Sequence, residues 1–177
     1  YPTTNNAYDT SFNNGDFFGF INYPANSNSY YLEYPIGTDI VVTKFSDDGS
    51  NLLGSTFIGG SKNDGINESG ANNINGNKLC YFYADEYRGE ITLDSFGNCY
   101  VASSSSSLDF PLLNESQTTI GGLQDAVAFK LNSNLSTLLW STYIGGSDDD
   151  AGYSIQLNNQ DQALICGGTM SSDLFTS

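Results

Sequence analysis

The side chains that could do chemistry in this chain are carboxylates and tyrosines, because histidine is absent. Its absence removes the commonest general base and the commonest metal ligand together. Serine nucleophiles therefore have no imidazole to activate them, and no lysine sits in a suggestive motif. Paired carboxylates could still perform acid–base work on a glycosidic bond, but nothing in the sequence separates two acids from the other eighteen. The stretches "SDDGSN" (46–51) and "SDDDAG" (147–152) raise a Ca2+ reading. Neither has alternating oxygen ligands closed by a distant carboxylate, so both read as turns, with Asp64 and Asp150 bonding nearby backbone amides. No catalytic residue, metal ligand or cofactor is assigned on these grounds.

Tyrosine gathers in two places. Phe17, Phe18, Phe20, Tyr23, Tyr30, Tyr31 and Tyr34 crowd residues 16–38, and Tyr81, Phe82, Tyr83 and Tyr87 crowd residues 66–88. Both stretches are polar and rich in Asn, as long loops are. An exposed tyrosine offers an apolar face with a polar tip, which suits recognition, and loops on a rigid scaffold are where recognition concentrates. Packing of the rings on one another to hold the loops together is the competing reading. The candidate binding residues are Tyr23, Tyr30, Tyr31, Tyr34, Tyr81, Tyr83 and Tyr87.

The elements that position these loops repeat. "STFIGGS" (55–61) returns as "STYIGGS" (141–147), and "DIVVTKF" (39–45) lies over "DAVAFKL" (125–131), both at an offset of 86 residues. Fixed-offset similarity marks a repeat architecture. Each copy holds four short runs rich in β-branched and aromatic residues, closed by Asn, Ser, Asp or Gly. They predict strands at 39–46, 51–58, 90–95 and 99–104, then at 125–132, 137–145, 153–158 and 162–168. No helical spacing occurs. Val41, Thr43 and Phe45 face one way and Ile40 and Val42 the other, so both faces of that strand are largely apolar and the sheet should be covered on both sides. Trp140 and Tyr143, an odd number of residues apart, should lie on opposite faces of one buried strand. If Trp140 is a core residue, its replacement by alanine should cost about 3–5 kcal/mol.

The third strands match at an offset of only 64, so the first copy carries 22 extra residues between its second and third strands, roughly 66–88. A second insertion, roughly 16–38, precedes Asp39. In an antiparallel sheet successive connections alternate between the two ends, and both insertions occupy even-numbered connections. Both should therefore emerge on the same side.

Composition bounds the partners. Five basic residues against twenty acidic ones give a net charge of −15, which repels nucleic acid and anionic lipid. No apolar run has the length of a membrane span, and "YPTTNNAYD" lacks the parts of a signal peptide. Cys80, Cys99 and Cys166 follow no metal spacing. Buried free thiols are expected, with a Cys80–Cys99 disulfide conceivable in an exported protein.

"D-x-V-x-x-K-x" at Asp39 to Phe45, "S-T-[FY]-I-G-G-S-x-x-D" at Ser55 to Asp64, "I-T-L-D-x-x-G-N-x-Y-V" at Ile91 to Val101 and "S-x-D-F-P" at Ser107 to Pro111 together resemble the bacterial seven-bladed β-propeller repeat, abbreviated SBBP. Asp125 to Leu131 and Ser141 to Asp150 repeat the first two, and residues 155–175 keep the spacing while losing Asp, Gly-Asn and Pro. The resemblance implies an all-β fold of about two four-stranded antiparallel blades from a larger propeller. Residues 1–38 would be a linker with its insertion, 39–109 one blade repeat, 110–124 a linker, and 125–177 a second repeat running into the next linker. It further implies an exported or cell-surface protein, of the adhesin-like kind found in Bacteroidota and exported by the type IX secretion system. A protein or a surface glycan would be the partner, with contacts to the secretion machinery. The family transfers no active-site residue, so the expected role is non-catalytic binding. An exported polysaccharide-active enzyme or a structural spacer are the alternatives. Two blades leave apolar faces uncovered, so these residues are expected to be part of a longer propeller, and to oligomerise or aggregate alone.

Overall fold

The computed structural model describes residues 1–16, 18–20, 32–68, 79 and 87–174, with the backbone alone for 18–20 and 32–34. Among them lie ten antiparallel strands and no α-helix: β1 (Phe18–Phe20), β2 (Leu32–Tyr34), β3 (Ile40–Phe45), β4 (Leu52–Ile58), β5 (Glu90–Leu93), β6 (Cys99–Ser105), β7 (Asp125–Leu131), β8 (Leu138–Ile144), β9 (Asp150–Leu157) and β10 (Ala163–Thr169). The eight predicted strands are β3 to β10, most within a residue or two of the expected bounds. β9 begins three residues early, because Asp150 to Gly152 pair with Thr169 to Gly167 beyond a bulge at Tyr153.

The two copies fold alike, residue for residue. β3 pairs with β4 and β7 with β8 in one register, with a bulge at Lys44/Phe45 in the first pair and at Lys130/Leu131 in the second. β5–β6 and β9–β10 share theirs, Leu93↔Cys99 matching Leu157↔Ala163. What differs from expectation is the grouping. The four-stranded sheet is β5-β6-β7-β8, built from the last two strands of one copy and the first two of the next. β3–β4 and β9–β10 are two-stranded, as is β1–β2. Sequence order specifies the hairpins, which close through short turns such as the Asp94-capped Ser95–Asn98, whose Phe96 and Asn98 amides donate to Asp94. Lateral joining of hairpins is decided instead by which strands have both faces covered.

Those strands are β6 and β7. Val127, Phe129 and Leu131 enter one core with Ile40, Val42, Ile58, Val101, Phe110 and Tyr143, on the β3–β4 side. Tyr100 and Ala102 of β6 turn the opposite way and pack with Ile155 of β9, with Trp140, Leu157 and Ile165 at the edge. Double-sided burial thus belongs to β6 and β7 and not to β3, where Ile40 and Val42 are buried but Phe45 is 56% exposed. The four-stranded sheet is the middle of three layers.

Tyr143 and Trp140 fall in the two different cores, as parity requires. Tyr143 is fully buried and its hydroxyl donates to the Ser107 carbonyl. Trp140 is only half-buried, set edge-on to Tyr100 with centroids 5.9 Å apart. Tyr143→Ala should therefore cost about 3–5 kcal/mol and Trp140→Ala about 2 kcal/mol, read from urea midpoints. Equal costs would contradict the layer assignment.

Cys99 is a buried free thiol, its pKa pushed up to about 12 by burial, and the structure forms no disulfide to it. Cys166 corrects the expectation of buried thiols: it is exposed, on the outward face of β10. Cys80 lies outside the described residues.

Candidate functional site

The repeated phrase is half of a clasp, and the "S-x-D-F" motif is the other half. Beyond β4, the Gly60 amide donates to Asp64 Oδ2 at 2.8 Å, and Ser107 Oγ donates to the same oxygen at 2.8 Å. Ser107 Oγ in turn accepts from the Lys62 amide at 2.9 Å. Asp109 Oδ1 accepts from both the Ser61 amide and the Ser61 hydroxyl. The second copy repeats each bond: Gly146 and Ser171 donate to Asp150 Oδ2, the Asp148 amide donates to Ser171 Oγ, and Ser147 donates twice to Asp173 Oδ1. In the first copy the clasp joins the β3–β4 sheet to the end of β6, and in the second it joins the end of β8 to the end of β10. Each therefore ties neighbouring sheets together. The amide-binding role read for Asp64 and Asp150 is the one the structure shows.

The paired glycines follow from close approach. A Cβ on Gly59 would lie 2.7 Å from Asp39 Oδ1 and 2.9 Å from Asp64 Oδ2, and one on Gly145 would lie 2.4 Å from the Asp125 carboxyl carbon. A Cβ on Gly60 would stand 2.4 Å from Asp109 Oδ1, and one on Gly146 would stand 2.6 Å from the Ser171 Cβ. The first glycine of each pair seats the carboxylate at the start of the preceding strand of its own hairpin, Asp39 before β3 and Asp125 in β7. The second seats the "S-x-D-F" motif.

Asp39 and Asp64 are thereby held side by side. Asp39 Oδ2 accepts from the Asn13 amide at 2.7 Å, while Oδ1 has no hydrogen-bond partner. Asp64 is fully buried, and its Oδ1 is likewise without a partner. Burial pushes Asp64 up to about 7 against the pull of its hydrogen bonds, with the Asp39 charge adding to the rise. Burial also pushes Asp39 up to about 6. Asp125 is raised by burial too, with Asp150 contributing. The pairing of Asp39 with Asp64 was missed in the sequence, although both residues recur at the offset of 86, as Asp125 and Asp150.

The pair lines a cleft of about 520 Å³ between β3 and the β5–β6 edge, lined also by Ile40, Val42, Tyr87 and Arg88. Both insertions are rooted beside it. Gly15 and Gly37, at the two ends of the first, press against each other and against Asn63 Oδ1. Asn63 Oδ1 accepts from the Thr38 amide at 3.2 Å, and Asn63 Nδ2 donates to Glu68, where the second insertion begins. Lys62 bridges to Asp16 across the same corner. The roots therefore converge on one side of the molecule, as the parity of the connections requires.

Of the candidate tyrosines, Tyr87 is 40% exposed on the cleft wall. Tyr34 lies in β2, in register with Phe18. Tyr23, Tyr30, Tyr31, Tyr81 and Tyr83 lie outside the described residues. Among the described residues no three His, Cys, Asp or Glu side chains are arranged to hold a metal ion. In "SDDGSN", Asp48 accepts from the hydroxyls of Ser46 and Ser50 and the Ser50 amide, which is a turn. No protein-family model matches the chain, and no curated protein matches it.

Proposed function

We propose that the chain is a non-catalytic binding segment of β-propeller type, from an exported or cell-surface protein, whose two insertions form one recognition surface for a protein or a glycan. The observation that carries this is the convergence of both aromatic-rich insertions on Asn63, with Tyr87 exposed beside them. The clasped sheets supply the rigid support that loop recognition needs. Type IX export and propeller blades enter through the SBBP resemblance alone.

A hydrolytic reading has one observation in its favour, the raised carboxylates Asp39 and Asp64 lining a cleft. The same carboxylates recur as Asp125 and Asp150 within the same clasp, and duplication of that kind belongs to scaffold more than to a single active centre. The expected partners are neutral glycans or basic proteins, since the net charge of −15 repels acidic ones.

Exchanging residues 66–88 for the short connection of the second copy tests the proposal. Binding to a glycan array, or to a panel of labelled basic proteins, should be lost at least tenfold while circular dichroism stays unchanged. Undiminished binding after the exchange would place recognition elsewhere. Turnover of a polysaccharide that Asp64→Asn abolishes would establish the enzymatic reading instead.

A further inference from the structure

The second copy departs from the first where the second insertion touches the sheets. At the offset of 64, Tyr153 and Gly168 stand where the first copy has Gly89 and Ser104. Both changed residues meet the insertion. The Tyr153 hydroxyl donates to the Leu79 carbonyl at 2.9 Å, across 74 residues of sequence. Arg88 lies over the Tyr153 ring, its guanidinium carbon 5.4 Å from the centroid, in cation–π geometry. A Cβ on Gly168 would stand 2.8 Å from the Tyr153 hydroxyl oxygen and 3.0 Å from Leu79 Cδ2. Glycine there leaves the room that the tyrosine and the leucine fill.

The layers themselves are held by other means. Among the described residues, Tyr153 belongs to neither core. β9 is fixed by its ladder with β10, by Ile155 in the core, and by Glu90, which accepts from the Ser154 hydroxyl and the Ile155 amide. The tyrosine serves the insertion instead. At Glu68 the amide donates to Gln124 and the carboxylate accepts from Ser106. From there the chain reaches β9 at Leu79 and enters β5 just beyond Arg88. Leu79 thus divides one long loop into spans of ten and eight residues, 69–78 and 80–87. Shorter tethered spans have fewer conformations to lose when a partner binds.

We infer that Tyr153 and Gly168 form a seat for the second insertion, and that Tyr153 is the positioning residue for the exposed Tyr87 beside Arg88. The positioning role rests on the reading of the insertions as a recognition surface. It adds that part of the ordering cost is met on folding and not on binding.

Trypsin tests the seat without any ligand. The five basic residues of the chain are Lys44, Lys62, Lys78, Arg88 and Lys130. Cutting after Lys78 requires Leu79 to leave Tyr153, and cutting after Arg88 requires its guanidinium to leave the ring. Cleavage of a folded chain follows the population of the opened form. Tyr153→Leu should therefore speed cleavage after both Lys78 and Arg88 by about tenfold. Tyr153→Phe keeps the ring and loses the hydroxyl, so it should speed cleavage after Lys78 by about fivefold and leave Arg88 as in the parent. Cleavage after Lys130, within β7, reports opening of the sheets and should not change in either variant. Equal rates after Lys78 in all three proteins would overturn the seat, as would a matching rise after Lys130 in Tyr153→Phe. Against the glycans or basic proteins that the parent binds, Tyr153→Leu should weaken binding by about tenfold with the circular dichroism unchanged. Full-strength binding by a variant whose insertion is released would overturn the positioning role. A parent that binds none of them would sink the recognition reading, and the cleavage pattern would still decide the seat.

Discussion

Gly60→Ala should destabilise the chain by about 3–5 kcal/mol, and Gly146→Ala by a similar amount, with the urea midpoint falling and the slope unchanged. The added methyl on Gly60 would stand 2.4 Å from Asp109 Oδ1 and 2.7 Å from the Ser107 Cβ. A free carboxylate could swing aside at little cost. This one accepts two hydrogen bonds from Ser61, and its movement would break both. Ser107 cannot retreat alone either, since its hydroxyl joins the Lys62 amide to Asp64. Asp109 is exposed and water replaces part of what its two bonds lose, so the crowding against the Ser107 Cβ and the Asp109 backbone, 2.7 and 3.0 Å away, carries most of the cost. Gly49→Ala is the contrast: its φ of +71° costs something, but nothing lies within 4 Å of the added atom. A change of under 1 kcal/mol at Gly60 would mean that the clasp is not what holds the sheets together.

That clasp also marks how far the sequence was legible. Strands were readable because their apolar runs end in turn residues, and the identical bulges at Lys44/Phe45 and Lys130/Leu131 show that near-identical strings fold identically. Glycine pairs signalled a close approach, but not what approached. Asp64 follows closely, but Asp39 on one side and Ser107 with Asp109 on the other come from 20 to 49 residues away, and contact over such distances leaves no periodicity. Sheet membership was hidden for a related reason. β6 joins β7 across the boundary between copies, and the repeat offset is the same whichever hairpins associate. The candidate site divides likewise. Parity of connections placed both insertions on one side, and Asn63 is where they meet. The raised carboxylates beside them depend on burial, which for Asp64 comes with the clasp to Gly60 and Ser107 and is not written in its local sequence.

Stability should fall as pH rises from 5 to 8, and Asp64→Asn should flatten that fall. The direction follows from the two raised carboxylates. Asp64 at about 7 and Asp39 at about 6 hold protons in the folded chain that the unfolded chain, near 3.8, has already released. Between those values the folded state binds more protons, so unfolding becomes easier with rising pH. The contribution is whole below about pH 4 and is lost as pH passes through 6 to 7. Other carboxylates act in the opposite direction but in another window. Asp48, lowered to about 2 by the Ser46 and Ser50 hydroxyls and the Ser50 amide, with Asp109 and Asp173 lowered by Ser61 and Ser147, weakens the fold only as pH falls below about 4. Maximal stability should therefore lie near pH 5. Converted at 1.36 kcal/mol per unit, the whole Asp64 rise sets a ceiling of about 4 kcal/mol on its share. Asparagine keeps an oxygen for the Gly60 amide and the Ser107 hydroxyl, and its amide can donate towards the unpartnered Asp39 Oδ1. The variant should match the parent near pH 5 and exceed it at pH 8, where the parent must hold two buried charges side by side. Urea midpoints at the two pH values decide the matter, and parallel pH profiles would show that Asp64 is ionised in the folded chain throughout. General self-repulsion at a net charge of −15 also grows with pH, but one substitution leaves nearly all of it in place. A flattened slope in Asp64→Asn therefore reports the buried pair.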